Sequence, residues 1–264
     1  MDAGEFMGVT RTGDDTWQLP VASHIITPGN FLFGGCGLGA ALVALEQATG
    51  RPTIWATAQY LQYAPVGSTM DIGVTIAVAG GHVSQARATG SVEGREILTV
   101  NAALGSNELD LAGVWDSPPI VPDPDRCPPR RFPDSMRQSI FEHVEMRVAK
   151  GRMLGDMDGT PGGHDSALWC RVPGHVDPSA ATLAIFGDFV SSGLSEPFGR
   201  RVRGRSLDNT LRVVQLEQTE WVLCDIRMHA LVGGYGQGTA FLWSERGTLL
   251  ATASQTVAAK VWEP

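Results

Sequence analysis

From Trp221 to Val232 apolar and polar positions alternate, Gly233-Gly234 interrupts them, a second apolar run reaches Trp243, and a third runs from Leu249 to Val257. Period-two alternation cut by glycine turns predicts antiparallel strands. The same pattern occurs earlier: Ile54 to Tyr63 reads as a strand ended by Pro65 and Gly67, and Ile72, Val74, Ile76 and Val78 line one apolar face. After the Gly80-Gly81 turn come extended stretches at Val83–Thr89 and Ile97–Leu104, separated by Glu93-Gly94. Residues 1–30 are polar and Gly-rich at first, with Trp17, Leu19, Val21, Ile25 and Ile26 suggesting an opening strand or lid.

Two segments break the alternation. Gly34 to Gly50 has no polar side until Glu46, so it predicts a helix surrounded by other structure. Its early glycines permit close backbone approach or an anion contact at the helix start, and Gly50 with Pro52 ends it. Asp177-Pro178 offers a capping acid followed by a first-turn proline, predicting a helix through Leu183, Phe186 and Val190 to Ser192-Gly193. Ser139–Val148 and Leu168–Val172 read as edge strands, and Ser206 as the opening of another strand.

The two stretches look like copies of one unit. A shift of 153 carries Gly80-Gly81 to Gly233-Gly234, Gly94 to Gly247 and Thr99 to Thr252, while the strand before the turn fits better at 152. A one-residue insertion near the Gly-Gly turn would account for the change. Between the copies, Pro118, Pro119, Pro122, Pro124, Pro128, Pro129 and Pro133 mark an extended connector. The expected organisation is therefore 1–106 for the first unit, 107–135 for the connector and 136–264 for the second. A helix followed by several antiparallel strands makes each unit α+β.

Composition narrows the function. With 43% hydrophobic and 18% charged residues the 264-residue chain is an ordinary folded one, and its formal charge of −8 argues against nonspecific nucleic-acid binding. A local cluster, Arg200, Arg201, Arg203 and Arg205, still leaves room for a small anion. No secretory pattern opens the sequence, and Phe31–Leu45 is too short for a membrane span. Cys36, Cys127, Cys170 and Cys224 lie far apart in no CxxC pattern, which makes a reducing cytoplasmic location the expectation.

Motif searches remove several enzyme classes. The sequence has no GxGxxG after a strand, no GxxxxGK[ST], no HExxH, no GxSxG and no metal spacing among His24, His82, His143, His164, His175 and His229. Polar residues inside apolar runs stand out instead. Asp188 interrupts Leu183–Val190 as either a solvent-facing residue or a functional base, and Gln255 interrupts Leu249–Val257 either to orient a water or substrate or simply to satisfy the backbone. Ser206 lies between them and offers a hydroxyl.

Taken together, Leu183–Phe189, Ser206-Leu207-Asp208-Asn209, Trp221–Asp225 and Gly247–Gln255 resemble the TesB-like, type II acyl-CoA thioesterases, and Gly34-Gly35 opening an Ala/Leu-rich helix is similar to that family's amino-terminal unit. The resemblance implies a double hotdog fold, two tandem units each with a long helix wrapped by an antiparallel sheet. It also implies a hydrolase of lipid metabolism that cleaves acyl-CoA and needs no cofactor, and the edges and faces that hotdog sheets expose leave room for association into homo-oligomers. Carried over by motif, Asp188 would activate a water that Ser206 and Gln255 position, with backbone N–H groups at a helix start receiving the oxyanion. Ala102 stands near the first-unit position matching Gln255, implying one competent site per chain. The family's usual His is Asn209 here, and its Gln-Glu-Gly is Gln255-Thr256-Val257. Two other readings remain: a noncatalytic acyl-CoA-binding or assembly module, and an enoyl-CoA hydratase, whose Gly-Asp-x-Asn-Pro-x-His segment is missing.

Overall fold

A computed structural model describes residues 2–136, 138–174 and 177–262. His175, one of the six dispersed histidines, lies outside the described residues, as do the outermost positions of the two expected units.

The first half runs α1 (Ala3–Met7), β1 (Thr10–Arg11), β2 (Thr16–Pro20), α2 (Gly34–Thr49), β3 (Thr53–Tyr60), β4 (Thr69–Ala79), β5 (Val83–Val92) and β6 (Arg95–Gly105). The second runs α3 (Ile140–His143), β7 (Glu145–Lys150), β8 (Asp165–Arg171), α4 (Ala180–Gly187), β9 (Val202–Ser206), β10 (Asp208–Val213), β11 (Val222–Val232), β12 (Tyr235–Ser244) and β13 (Leu249–Val261). Among the described residues the strands form one antiparallel sheet in the order β1-β2-β4-β5-β6-β3-β10-β13-β12-β11-β8-β7, with β9 on β13. The halves join where β3 pairs with β10, and each half curls around its helix in the double hotdog arrangement.

α2 is apolar nearly all round because the sheet and α4 enclose it. It ends at Gly50, whose φ of 64° suits glycine. The helices touch through backbone: a Cβ on Gly35 would sit 2.8 Å from the Ala184 carbonyl oxygen, and one on Gly39 3.0 Å from that of Ala181. Small residues here are what allow the contact.

The strand register carries the duplication in detail. The β-bulge between Ile76 and Val78 recurs between Met228 and Ala230, and that between Gly90 and Ser91 recurs between Leu242 and Trp243. Met228↔Gly238 repeats Ile76↔Ala86 at a shift of 152, whereas Thr210↔Ser254 repeats Thr57↔Asn101 at 153. The whole first hairpin thus keeps 152. The extra residue lies in the Ser244–Leu249 turn rather than near Gly233, which superposes on Gly81.

Other local expectations change for physical reasons. Ser139 Oγ accepts the Phe141 N–H, so a helical turn, α3, replaces the first half of the expected Ser139–Val148 strand. The cap of α4 is Ser179, not Asp177, because its Oγ accepts the Thr182 N–H while the Asp177 carbonyl takes the Thr182 hydroxyl. β8 is interior, between β7 and β11. Ser206 closes β9 rather than opening a strand, and Leu207 bulges out between β9 and β10.

The connector crosses the outer face of the second half. Val121 and Cys127 pack there with Trp169, Trp221 and Trp243, and Trp169 Nε1 donates to the Pro122 carbonyl at 3.0 Å. Among the described residues the outer face of the first half has no such cover: Thr57, Thr99 and Asn101 stand along it. Among the described residues no helix is long and apolar enough to cross a membrane.

Candidate functional site

Asp188 begins a 3-10 segment, Asp188–Leu194, that tightens the chain as it leaves α4. α4 is buried on every side, and Gly187 lets it press on β13: a Cβ there would meet that of Ala253 at 3.0 Å. The Asp188 side chain consequently has nowhere to escape and is only 3% exposed. Along β13 the inward row is Ala251, Ala253, Gln255 and Val257, so Gln255 is the polar member of an apolar face. Ser206 stands opposite Val257 in register, which brings its hydroxyl beside Gln255.

These three residues converge. Asp188 Oδ1 accepts from Ser206 Oγ at 3.3 Å and from Gln255 Nε2, which also donates to Ser206 Oγ at 3.1 Å. Asp188 Oδ2 accepts the Gly35 backbone N–H at 2.7 Å. That last bond spans the two halves and uses the start of α2, where the macrodipole favours a negative charge. The helix start therefore holds the carboxylate, and the Gly35 N–H is occupied by it.

Burial dominates the electrostatics. Loss of water around Asp188 raises its pKa to about 7, even though the hydrogen bonds from Gly35, Gln255 and Ser206 pull it down. Asn209 also lowers it, yet neither atom of the Asn209 amide closes a hydrogen bond of normal geometry, so its effect is one of proximity. Burial first, and Asp188 second, push the Cys36 thiol and the Tyr60 phenol well above their usual values.

Tyr60 was not visible as a site residue in the sequence. It ends β3 in the first half, and its Oη is buried without a partner, like Gln255 Oε1 and both polar atoms of the Asn209 amide. A Cβ on Gly34 would lie 2.9 Å from Asp188 Oδ2 and 3.1 Å from Tyr60 Oη, so the phenol borders the carboxylate. The repeat of Tyr at 60 and 63 was the available signal, but nothing marked which one faces inward.

The arginine run is dispersed. Arg201 Nε donates to the Leu154 carbonyl, and Arg205 reaches the Tyr63 hydroxyl at 3.2 Å near the end of β9. Among the described residues no group of three or more His, Cys, Asp or Glu side chains is placed to hold a metal.

The family model for the C-terminal domain of acyl-CoA thioesterases matches residues 124–259. No curated protein matches the chain. Among solved structures, a candidate thioesterase from Novosphingobium aromaticivorans is 31% identical with a TM-score of 0.84, over 97% of this chain and 98% of that one. The tesB protein of Mycobacterium avium subs paratuberculosis is 15% identical with a TM-score of 0.79, each chain covered to 98%. An acyl-CoA thioesterase II, TesB2, from Mycobacterium marinum is 18% identical with a TM-score of 0.77, each covered to 99%. At these last two identities the likeness is one of fold.

Proposed function

Because the chain belongs to the TesB-like acyl-CoA thioesterase family and is an acyl-CoA thioester hydrolase, we propose that Asp188 activates its hydrolytic water while Ser206 and Gln255 position it. The observation that carries this reading is a buried carboxylate whose pKa of about 7 suits a base at neutral pH, bonded to both residues. Water gives one proton to Asp188 as its oxygen attacks the thioester carbon. Its other O–H stays intact and donates a hydrogen bond to Gln255 Oε1, which has no partner among the described residues, because the Nε2 end of that amide faces the carboxylate. Collapse of the tetrahedral intermediate expels the CoA thiolate, which takes the proton back from Asp188. No covalent acyl-enzyme is needed. The acyl chain lies along the apolar surface beside α2 and α4, and Arg205, near Ser206, meets a CoA phosphate.

Free-thiol release from short, medium and long acyl-CoAs tests this, comparing the intact protein with Asp188→Asn. Turnover lost in the variant with acyl-CoA binding retained is the expected result. Full activity in the variant would refute Asp188 as the base, and saturable binding without turnover in the intact protein would favour the binding module.

A further inference from the structure

The proposed water-activating residues leave part of the reaction without a partner. When water adds to the thioester, the carbonyl oxygen takes a full negative charge, and donors aimed at it are a large part of acyl-transfer catalysis. The Gly35 N–H at the start of α2 is spent on Asp188. Gln255 Nε2 is spent on Asp188 and Ser206.

Two unspent donors border the carboxylate. Tyr60 Oη and Asn209 Nδ2 are buried and unpartnered, although buried polar atoms in folded proteins are almost always hydrogen-bonded. They come from neighbouring strands of opposite halves, β3 and β10, joined through the Leu207 bulge, whose carbonyl accepts the Tyr60 N–H at 3.0 Å. Asn209 is fully buried on the inward face beside Leu211, with Asp188 and Tyr60 near its amide but neither in hydrogen-bond geometry with it. The phenol keeps its proton, since burial and Asp188 both oppose its ionisation, which makes Tyr60 a donor and not a second base.

We infer that Tyr60 Oη and Asn209 Nδ2 grip the thioester carbonyl oxygen and receive its charge in the transition state. The inference rests on the thioesterase reading above. Water oxygen bonds to the thioester carbon as its proton passes to Asp188, and the carbonyl π pair moves onto the oxygen between Tyr60 and Asn209. That pair then re-forms the C=O bond, the C–S bond breaks, and sulfur takes the proton from Asp188, giving one carboxylic acid and one CoA thiol. Tyr60 and Asn209 exchange no proton in the cycle.

The test compares Tyr60→Phe and Asn209→Ala with the wild type on whichever acyl-CoA of the panel is hydrolysed fastest. It also measures binding of the matching S-alkyl-CoA thioether, which lacks the carbonyl. Each variant should lose about hundredfold in kcat, the usual cost of one oxyanion donor. Thioether binding should stay within about twofold, and in Tyr60→Phe the acid limb of the pH–rate profile should stay where it is, whereas in Asn209→Ala it should move up, because Asn209 holds the Asp188 pKa down. Folded variants with kcat within about threefold of wild type would overturn the inference. So would a loss of rate in Tyr60→Phe accompanied by a displaced acid limb, because the phenol would then act through Asp188. Tyr60→Phe deletes one oxygen and keeps the ring, so it decides the matter alone if Asn209→Ala does not fold. A wild type that releases no thiol defeats the thioesterase reading itself, whereas an active wild type, a dead Asp188→Asn and a fully active Tyr60→Phe defeat only this inference.

Discussion

The two halves share strand register and both bulges, yet at two of three matched positions one is polar and the other is not. Register pairs Gln255 with Ala102 and Ser206 with Thr53, and aligning the helix starts, Gly34 and Ala180, puts Leu42 where Asp188 stands. Leu42 is fully buried, and Thr53 gives its N–H to Glu46 Oε1 at 2.8 Å while its hydroxyl finds no partner. A hotdog unit therefore has no need of an interior carboxylate. Where one appears, donors from two strands and the opposite helix come with it, because an interior charge is tolerated only when it is met by hydrogen bonds.

Making the second half resemble the first should have the largest effect at Asp188. Asp188→Asn should lower kcat by roughly 10²–10⁴-fold, the range for loss of a general base, measured by thiol release at saturating acyl-CoA. The reverse change tests the cost of a charge without its donors. Leu42→Asp should lower stability by about 3–5 kcal/mol in urea unfolding and add no activity, since Ala102 stands where its amide partner would be.

Acidity separates the halves more finely. Folded Asp188 keeps its proton up to about pH 7, whereas in the unfolded chain it ionises near the ordinary 3.8. The folded state thus holds the extra proton between those values, and stability should fall as pH rises from 4 to 7 and level off above, by at most roughly 4 kcal/mol. Asp188→Asn removes that loss, so its melting temperature should match the wild type at pH 4 and exceed it at pH 8. Wild-type kcat/KM should climb through the same interval as the base ionises. Gln255→Ala, which copies Ala102, should cost about hundredfold in kcat by releasing the water from its position. The outer faces offer the smallest contrast: Trp169→Phe loses the bond to Pro122 and should cost about 1 kcal/mol, read from the denaturant midpoint.

Much of this was readable from residues alone. α2 with its Gly50 stop, and the hairpins of both halves, follow from periodicity and glycine turns because the sheet buries one face and leaves the other exposed. Asp188 and Gln255 showed themselves as polar interruptions of apolar runs, although their meeting depends on β9, β13 and α4 folding together. Tyr60 stayed hidden. It shares the run Tyr60-Leu61-Gln62-Tyr63 with a tyrosine that is 50% exposed, and only the end of β3 against Leu207 determines which ring turns inward. The proline content of the connector told of an extended path, but not that three tryptophans on the second half would give it a seat.

The hydrogen bond from Gly35 to Asp188 makes covalent fusion of the two units consequential. In an assembly of identical chains every substitution appears at each symmetry mate, so a residue cannot become an acid in one copy while its counterpart stays leucine. Tandem copies escape that constraint: one can specialise as reagent and the other as its holder. With Asp188 as the proposed base, the arrangement yields one reaction centre for every two hotdog units, a stoichiometry of one per chain that titration with a tight-binding acyl-CoA analogue would count.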